Sequence, residues 1–144
     1  MKKLHFSINI NAPKAKVWDK MISEESYREW TSVFAEGSSF KGSWDKGAKI
    51  LFVDPSNSGM VAEIAENKLH EFISIRHLGE IDHGVEDTTS EKVKAWTPAY
   101  ENYTLTEKDG VTTVDIELDS ADAWAGMMGD MWPKALLKLK DICE

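Results

Sequence analysis

A single cysteine, Cys143, stands among the 144 residues. No internal disulfide can form, and a lone thiol fits a reducing compartment, so a cytoplasmic location is the expectation. Continuous apolar stretches are missing too. No run approaches the ~18 apolar residues a membrane helix needs, and the opening MKKLHFSINI alternates apolar with polar residues where a signal peptide would be unbroken. Positive charge is scarce: 17 Lys and Arg face 25 Asp and Glu, for a net charge of −8. Such a chain repels phosphate backbones and anionic headgroups, which argues against nucleic acid and membrane partners. The sequence also has no Gly-x-Ser-x-Gly turn, Gly-rich phosphate loop, His-x-x-x-His pair or calcium-loop spacing. Hydrolase, nucleotide and zinc chemistry are therefore unsupported, and no metal or cofactor is expected.

What is present is periodicity. Leu4, Phe6, Ile8 and Ile10 alternate with His5, Ser7 and Asn9, the mark of a strand with one buried face. A short helix follows, with Pro13 in its first turn and Val17, Trp18, Met21 and Ile22 on one side. Ser23 is placed to cap a second short helix whose Tyr27 and Trp30, three apart, face the same way. From there the period changes to two, and residues 48–53, 60–65, 70–78, 100–107 and 111–118 read as strands separated by turn residues. Asp109-Gly110 between two alternating runs predicts a tight hairpin. Residues 79–98, acidic and without a clear period, read as one long mobile loop. The chain ends in a helix over 121–143, ~35 Å long at ~1.5 Å per residue. The class is α+β in a single domain, 1–144: an antiparallel sheet of about six strands with one long helix to cover its apolar face.

Four stretches, INAPKAKVWDKMISEESYREW, GSWDKGAKILF, YENYTLTEKDGVTTVDIEL and MWPKALLKLKDICE, together resemble the SRPBCC superfamily, the START-like group related to pollen-allergen-type ligand binders and polyketide cyclases. Within it the likeness is to the branch of the activator of the heat-shock-protein-90 ATPase. The resemblance covers essentially the whole chain. It implies a helix-grip fold, in which a curved sheet wraps around the C-terminal helix and leaves a cavity between them.

The terminal helix carries both an apolar face and the residues most disruptive to it. Trp124, Met128, Met131, Trp132, Ala135, Leu136, Leu139 and Ile142 recur at three- and four-residue steps, while Gly126, Gly129 and Pro133 interrupt. Pro133 removes the hydrogen bond due to the Gly129 carbonyl, which predicts a kink or restart near 129–133. The candidate pocket residues on this helix are Trp124, Met127, Met128 and Met131, with Leu136 to Ile142 packing the closed end. Facing them, strand parity and the second helix point Trp30, Phe52, Ile75 and Tyr103 inward. Two polar residues share the inward parity, His77 and Glu101, either of which would orient a ligand or move a proton.

Three functions are expected in order: non-enzymatic binding of an apolar or aromatic small molecule, as carrier or sensor; a co-chaperone or stress-response protein-binding module, which the branch resemblance implies; and a cyclase-like enzyme using one acid or base. The corresponding partners are an apolar small molecule, or a chaperone or other protein. A homodimer is compatible with the chain, and no element forces one.

Overall fold

The computed structural model describes all residues, Met1–Glu144. Strand β1 (Lys2–Ile10) leads into helices α1 (Lys14–Ile22) and α2 (Glu24–Trp30). The strands β2 (Ser39–Gly42), β3 (Lys49–Val53), β4 (Gly59–Lys68), β5 (Phe72–Asp82) and β6 (Val85–Asp87) follow. A one-turn helix α3 (Glu91–Lys94) precedes β7 (Ala99–Lys108) and β8 (Val111–Ser120), and the long helix α4 (Ala125–Cys143) completes the chain. The strands join in the order β1-β8-β7-β5-β4-β3-β2, with β6 paired to β5 beyond the point where β7 leaves it. All pairings are antiparallel. Register shifts in β4 at Val61/Ala62 and Ile64/Glu66 add local twist and bend the sheet, as bulges do.

The sheet has eight strands, not six. Both additions are too short to show a period of their own. The four residues of β2 include one large apolar side chain, Phe40, and the strand exists because it pairs with β3. β6 is held by the two-residue turn His83-Gly84, whose φ angles of 47° and 84° are both left-handed, as a type I′ hairpin demands. Residues 79–98 are thus not one long loop, since they contain β6 and α3. The hairpin expected at Asp109-Gly110 forms, with φ angles of 54° and 79° and Lys108 opposite Val111. Ser23 occupies the cap position of α2, but its hydroxyl donates to Asp19 at 3.0 Å and caps nothing.

One core lies between the concave face of the sheet and the helices. Val17, Trp18 and Met21 of α1, Tyr27 and Trp30 of α2, and Trp132, Ala135, Leu136 and Leu139 of α4 meet Ile50, Ala62, Ile64, Ile73, Ile75, Val114 and Ile116 there. No helix is long and apolar enough to cross a membrane. Of the kink or restart expected near 129–133, the restart does not occur: the helix runs unbroken from Ala125 to Cys143 with Pro133 inside it. Tertiary burial of Trp132, Ala135, Leu136 and Leu139 holds the turn that proline weakens. Because Pro133 faces solvent and leaves the Gly129 carbonyl without its helical donor, Pro133→Ala is expected to stabilise the protein by about 1 kcal/mol, a net of the helix penalty and the lost rigidity of the unfolded chain. Thermal unfolding checks this; an unchanged or lower Tm would mean that the proline ring sets a bend the core requires.

Candidate functional site

Between α4 and the open half of the sheet lies a two-lobed cavity with lobes of about 240 and 370 Å³. Six residues belong to the walls of both lobes: Met60, His77, Glu101, Trp124, Met128 and Trp132. The larger lobe is partly open to solvent and has an aromatic wall of Tyr27, Trp30, Phe34, Phe52 and Tyr103. The smaller runs under Trp96, Ala99 and Leu118 towards Glu80, Lys92 and Asp119. Lobes of this size suit a small organic molecule.

The aromatic wall is an interlocked set. The Tyr27 ring meets Trp30 at 5.6 Å, Phe40 at 5.2 Å and Phe52 at 6.0 Å between centroids. Trp132 is surrounded by Phe6, Trp30, Phe34 and Tyr103 at 5.0 to 6.1 Å. Mostly edge-to-face and tilted packing of this kind fixes each ring in place. The backbone carbonyl of Met21 accepts the Trp30 indole N–H at 3.1 Å, so this 1 % exposed side chain has no unmet donor.

One polar cluster interrupts the apolar lining. The Glu101 carboxylate accepts the Tyr103 hydroxyl on one oxygen and lies 3.3 Å from His77 Nε2 on the other. An ionised carboxylate has acceptor positions only, so the imidazole form that bonds it is the one with a proton on Nε2. The other ring nitrogen, Nδ1, is buried without a partner, and His77 as a whole is 8 % exposed. Burial, and then the negative charge of Glu101, push the Tyr103 hydroxyl well above the ordinary phenol range, and the same two causes raise Tyr27. Both phenols stay protonated, and Tyr103 serves as a donor. At the rim of the larger lobe, Asp54 is held below the usual carboxylate range, first by the Ser56 hydroxyl and then by the Ser58 backbone N–H.

Seven of the residues singled out from sequence come together here: Trp30, Phe52, His77, Glu101, Tyr103, Trp124 and Met128. Three do not reach the lining. Ile75 is fully packed in the core between sheet and helices, and Met131 lies half-buried on α4 outside both lobes. Met127 projects from the α4 surface, 44 % exposed, because only one stripe of a helix can face the sheet. Trp124, in the turn before α4, lines both lobes yet is 52 % exposed, which puts it at the mouth. Sequence reasoning had Trp132 on the apolar face of the helix and overlooked it as a wall residue, although its place beside Pro133 within the apolar stripe was a usable sign. Phe34 gave no such sign, coming from a stretch without a period. The structure assembles no group of three or more His, Cys, Asp or Glu able to hold a metal ion. Cys143, at the far end of α4, is buried, and burial pushes its thiol up to about 11.

A curved antiparallel sheet gripping a long C-terminal helix, with a cavity between them, is a helix-grip fold. Solved structures with the same architecture cover nearly the whole chain. Protein MLL2253 from Mesorhizobium loti superimposes with a TM-score of 0.76 at 14% identity, over 97% of this chain and 95% of that one. The Aha1 dimer from Colwellia psychrerythraea gives 0.74 at 17% identity, over 100% and 97%. DynU16, a protein of the dynemicin biosynthetic locus, gives 0.73 at 12% identity over 98% of this chain, which spans 46% of that longer one. At such identities the likeness speaks for the fold alone. No protein-family model matches the chain, and no curated protein matches it in sequence.

Proposed function

We propose that the protein binds a small apolar or aromatic molecule in the two-lobed cavity, as a carrier or sensor and not as an enzyme. The observation that carries this reading is the convergence of the aromatic wall on one internal polar group: rings from α2, β3, β7 and α4 surround space, and Glu101 sits where the lobes meet. Both lobes are partly open to solvent, so a molecule can enter, and an apolar body there would take ring surface out of water. The half-exposed Trp124 gives the cavity a mouth. The fold neighbours agree with a ligand-binding or Aha1-like domain without choosing between them. Native mass spectrometry of the gently purified protein, compared with its denatured mass, tests the proposal. Bound mass that is lost on denaturation is expected. An apo mass that remains unchanged after incubation with a library of lipids and aromatics would overturn it.

A second reading rests on the exposed pair Trp124 and Met127 beside the mouth. Exposed apolar side chains of this size suit contact with another protein, either a chaperone or a second copy of the chain, and one fold neighbour is a dimer. The same native spectra separate the readings, since a dimer doubles the mass without adding a ligand.

A further inference from the structure

If the cavity binds a small molecule, its polar anchor restricts what that molecule can be. Glu101 takes one donor on each oxygen, His77 on one and Tyr103 on the other, and each oxygen keeps a second acceptor position. Its side chain is partly open and belongs to the walls of both lobes. The charge around it is one-sided. Glu80 and Asp119 line the smaller lobe and Asp54 the larger, while the two cationic residues of the lining, Lys92 and the N-terminal Met1, are already paired, Lys92 with Glu80 at 3.2 Å and the Met1 ammonium with Asp122 at 3.3 Å. Much of the remaining surface is aromatic, with rings from Tyr27, Trp30, Phe34, Phe52, Tyr103 and Trp132, and ring faces attract cations. A ligand carboxylate or phosphate would therefore meet like charge and no free partner. An ammonium would find a carboxylate for a charge-assisted hydrogen bond, aromatic faces beside it, and a negative approach.

We propose that the cavity selects amines: molecules whose ammonium donates to Glu101 and whose apolar or aromatic body lies among Tyr27, Trp30, Phe52 and Trp132. This deepens the small-molecule reading above and rests on it. Glu101 is the specificity-determining residue, and His77 and Tyr103 position it. The anchor has no bond to make or break, so the selection is one of binding only.

Three probes of matched shape separate the possibilities: naphthylmethylamine, naphthylmethanol and naphthoic acid, titrated into the wild-type protein and into Glu101→Gln. Protein NMR reports both affinity and place, because Trp30 lines only the larger lobe while Trp132 lines both, so a shift of the Trp30 indole N–H marks the larger lobe and a shift of Trp132 alone the smaller. With the wild type, the amine is expected to bind about tenfold more tightly than the alcohol, with the acid weakest. In Glu101→Gln the advantage of the amine over the alcohol should vanish. If the alcohol or acid binds the wild type as tightly as the amine, selection by Glu101 is overturned while the cavity remains a binding site. If no probe shifts either indole, the small-molecule reading fails and this inference fails with it. The wild-type series decides the matter without the variant, so a Glu101→Gln protein that does not fold leaves the test intact.

Discussion

Trp132→Ala is expected to destabilise the protein by about 3–5 kcal/mol, the largest loss of any single truncation in the site. Trp132 is buried, its indole packs on Phe6, Trp30, Phe34 and Tyr103, and it forms part of the wall of both lobes. Removing it takes away four ring contacts and leaves a void that merges with the cavity already present. Most core truncations are partly relieved by collapse of the neighbours; here Trp30 is held by Tyr27 and by the Met21 carbonyl, and Tyr103 by its hydroxyl on Glu101, which limits that relief. Trp132→Phe keeps a ring against Phe34 and Tyr103 and should cost roughly half as much. Urea unfolding of the three proteins measures both differences. A loss below about 1 kcal/mol for the alanine variant would mean that α4 repacks without its indole, and that the wall described here is softer than its geometry implies.

The case of Trp132 also shows which parts of this protein can be read from its sequence. Long elements with a clean period were legible: β1 from Leu4, Phe6, Ile8 and Ile10, the β7–β8 hairpin from Asp109-Gly110, and α4 from its apolar stripe. In each, the local pattern and the global fold agree, so either one suffices to find it. Elements made by pairing were hidden. β2 and β6 have too few residues for a period, and their existence depends on the strand beside them. The same division runs through the site. His77 and Glu101 were found because parity puts both on the inner face, and their meeting at 3.3 Å follows from the register that sets Ile75 opposite Glu101 and His77 opposite Ala99. Parity decides only the face, however. Ile75 shares that face and lies in filled core, because which inward residues border open space depends on where α4 crosses, and that is a tertiary property. Proline shows the limit of local reading, since the helix does not restart at residue 133. Its local penalty at residue 133 is real, but four buried side chains of the same helix outweigh it.

Gly79→Ala should have the second-largest effect, about 2–3 kcal/mol of destabilisation, from the addition of one methyl group. Gly79 lies in β5 opposite Val61, and a Cβ there would stand 2.0 Å from the Asp87 carbonyl oxygen and 2.9 Å from the Thr88 Cα. Both obstacles are backbone atoms, which no side-chain rotation can clear. Either β5 or the chain after β6 must move. That chain is well anchored. The Asp87 carboxylate accepts the Thr89 and Ser90 backbone N–H groups at 3.2 and 3.0 Å, Ser90 caps α3 through the Val93 N–H, and the Val93 side chain is fully buried. These are the contacts that turn an acidic stretch without periodicity into ordered structure, and they put Glu80 and Lys92 at the smaller lobe. Displacement should therefore register in two measurements at once: a lower urea midpoint, and faster amide hydrogen exchange across residues 85–94 with β7 and β8 unchanged. Exchange that rises evenly through the whole sheet would mean that the strain is shared by β5, and that β6 and α3 are part of the main cooperative unit instead of a flap docked through one glycine.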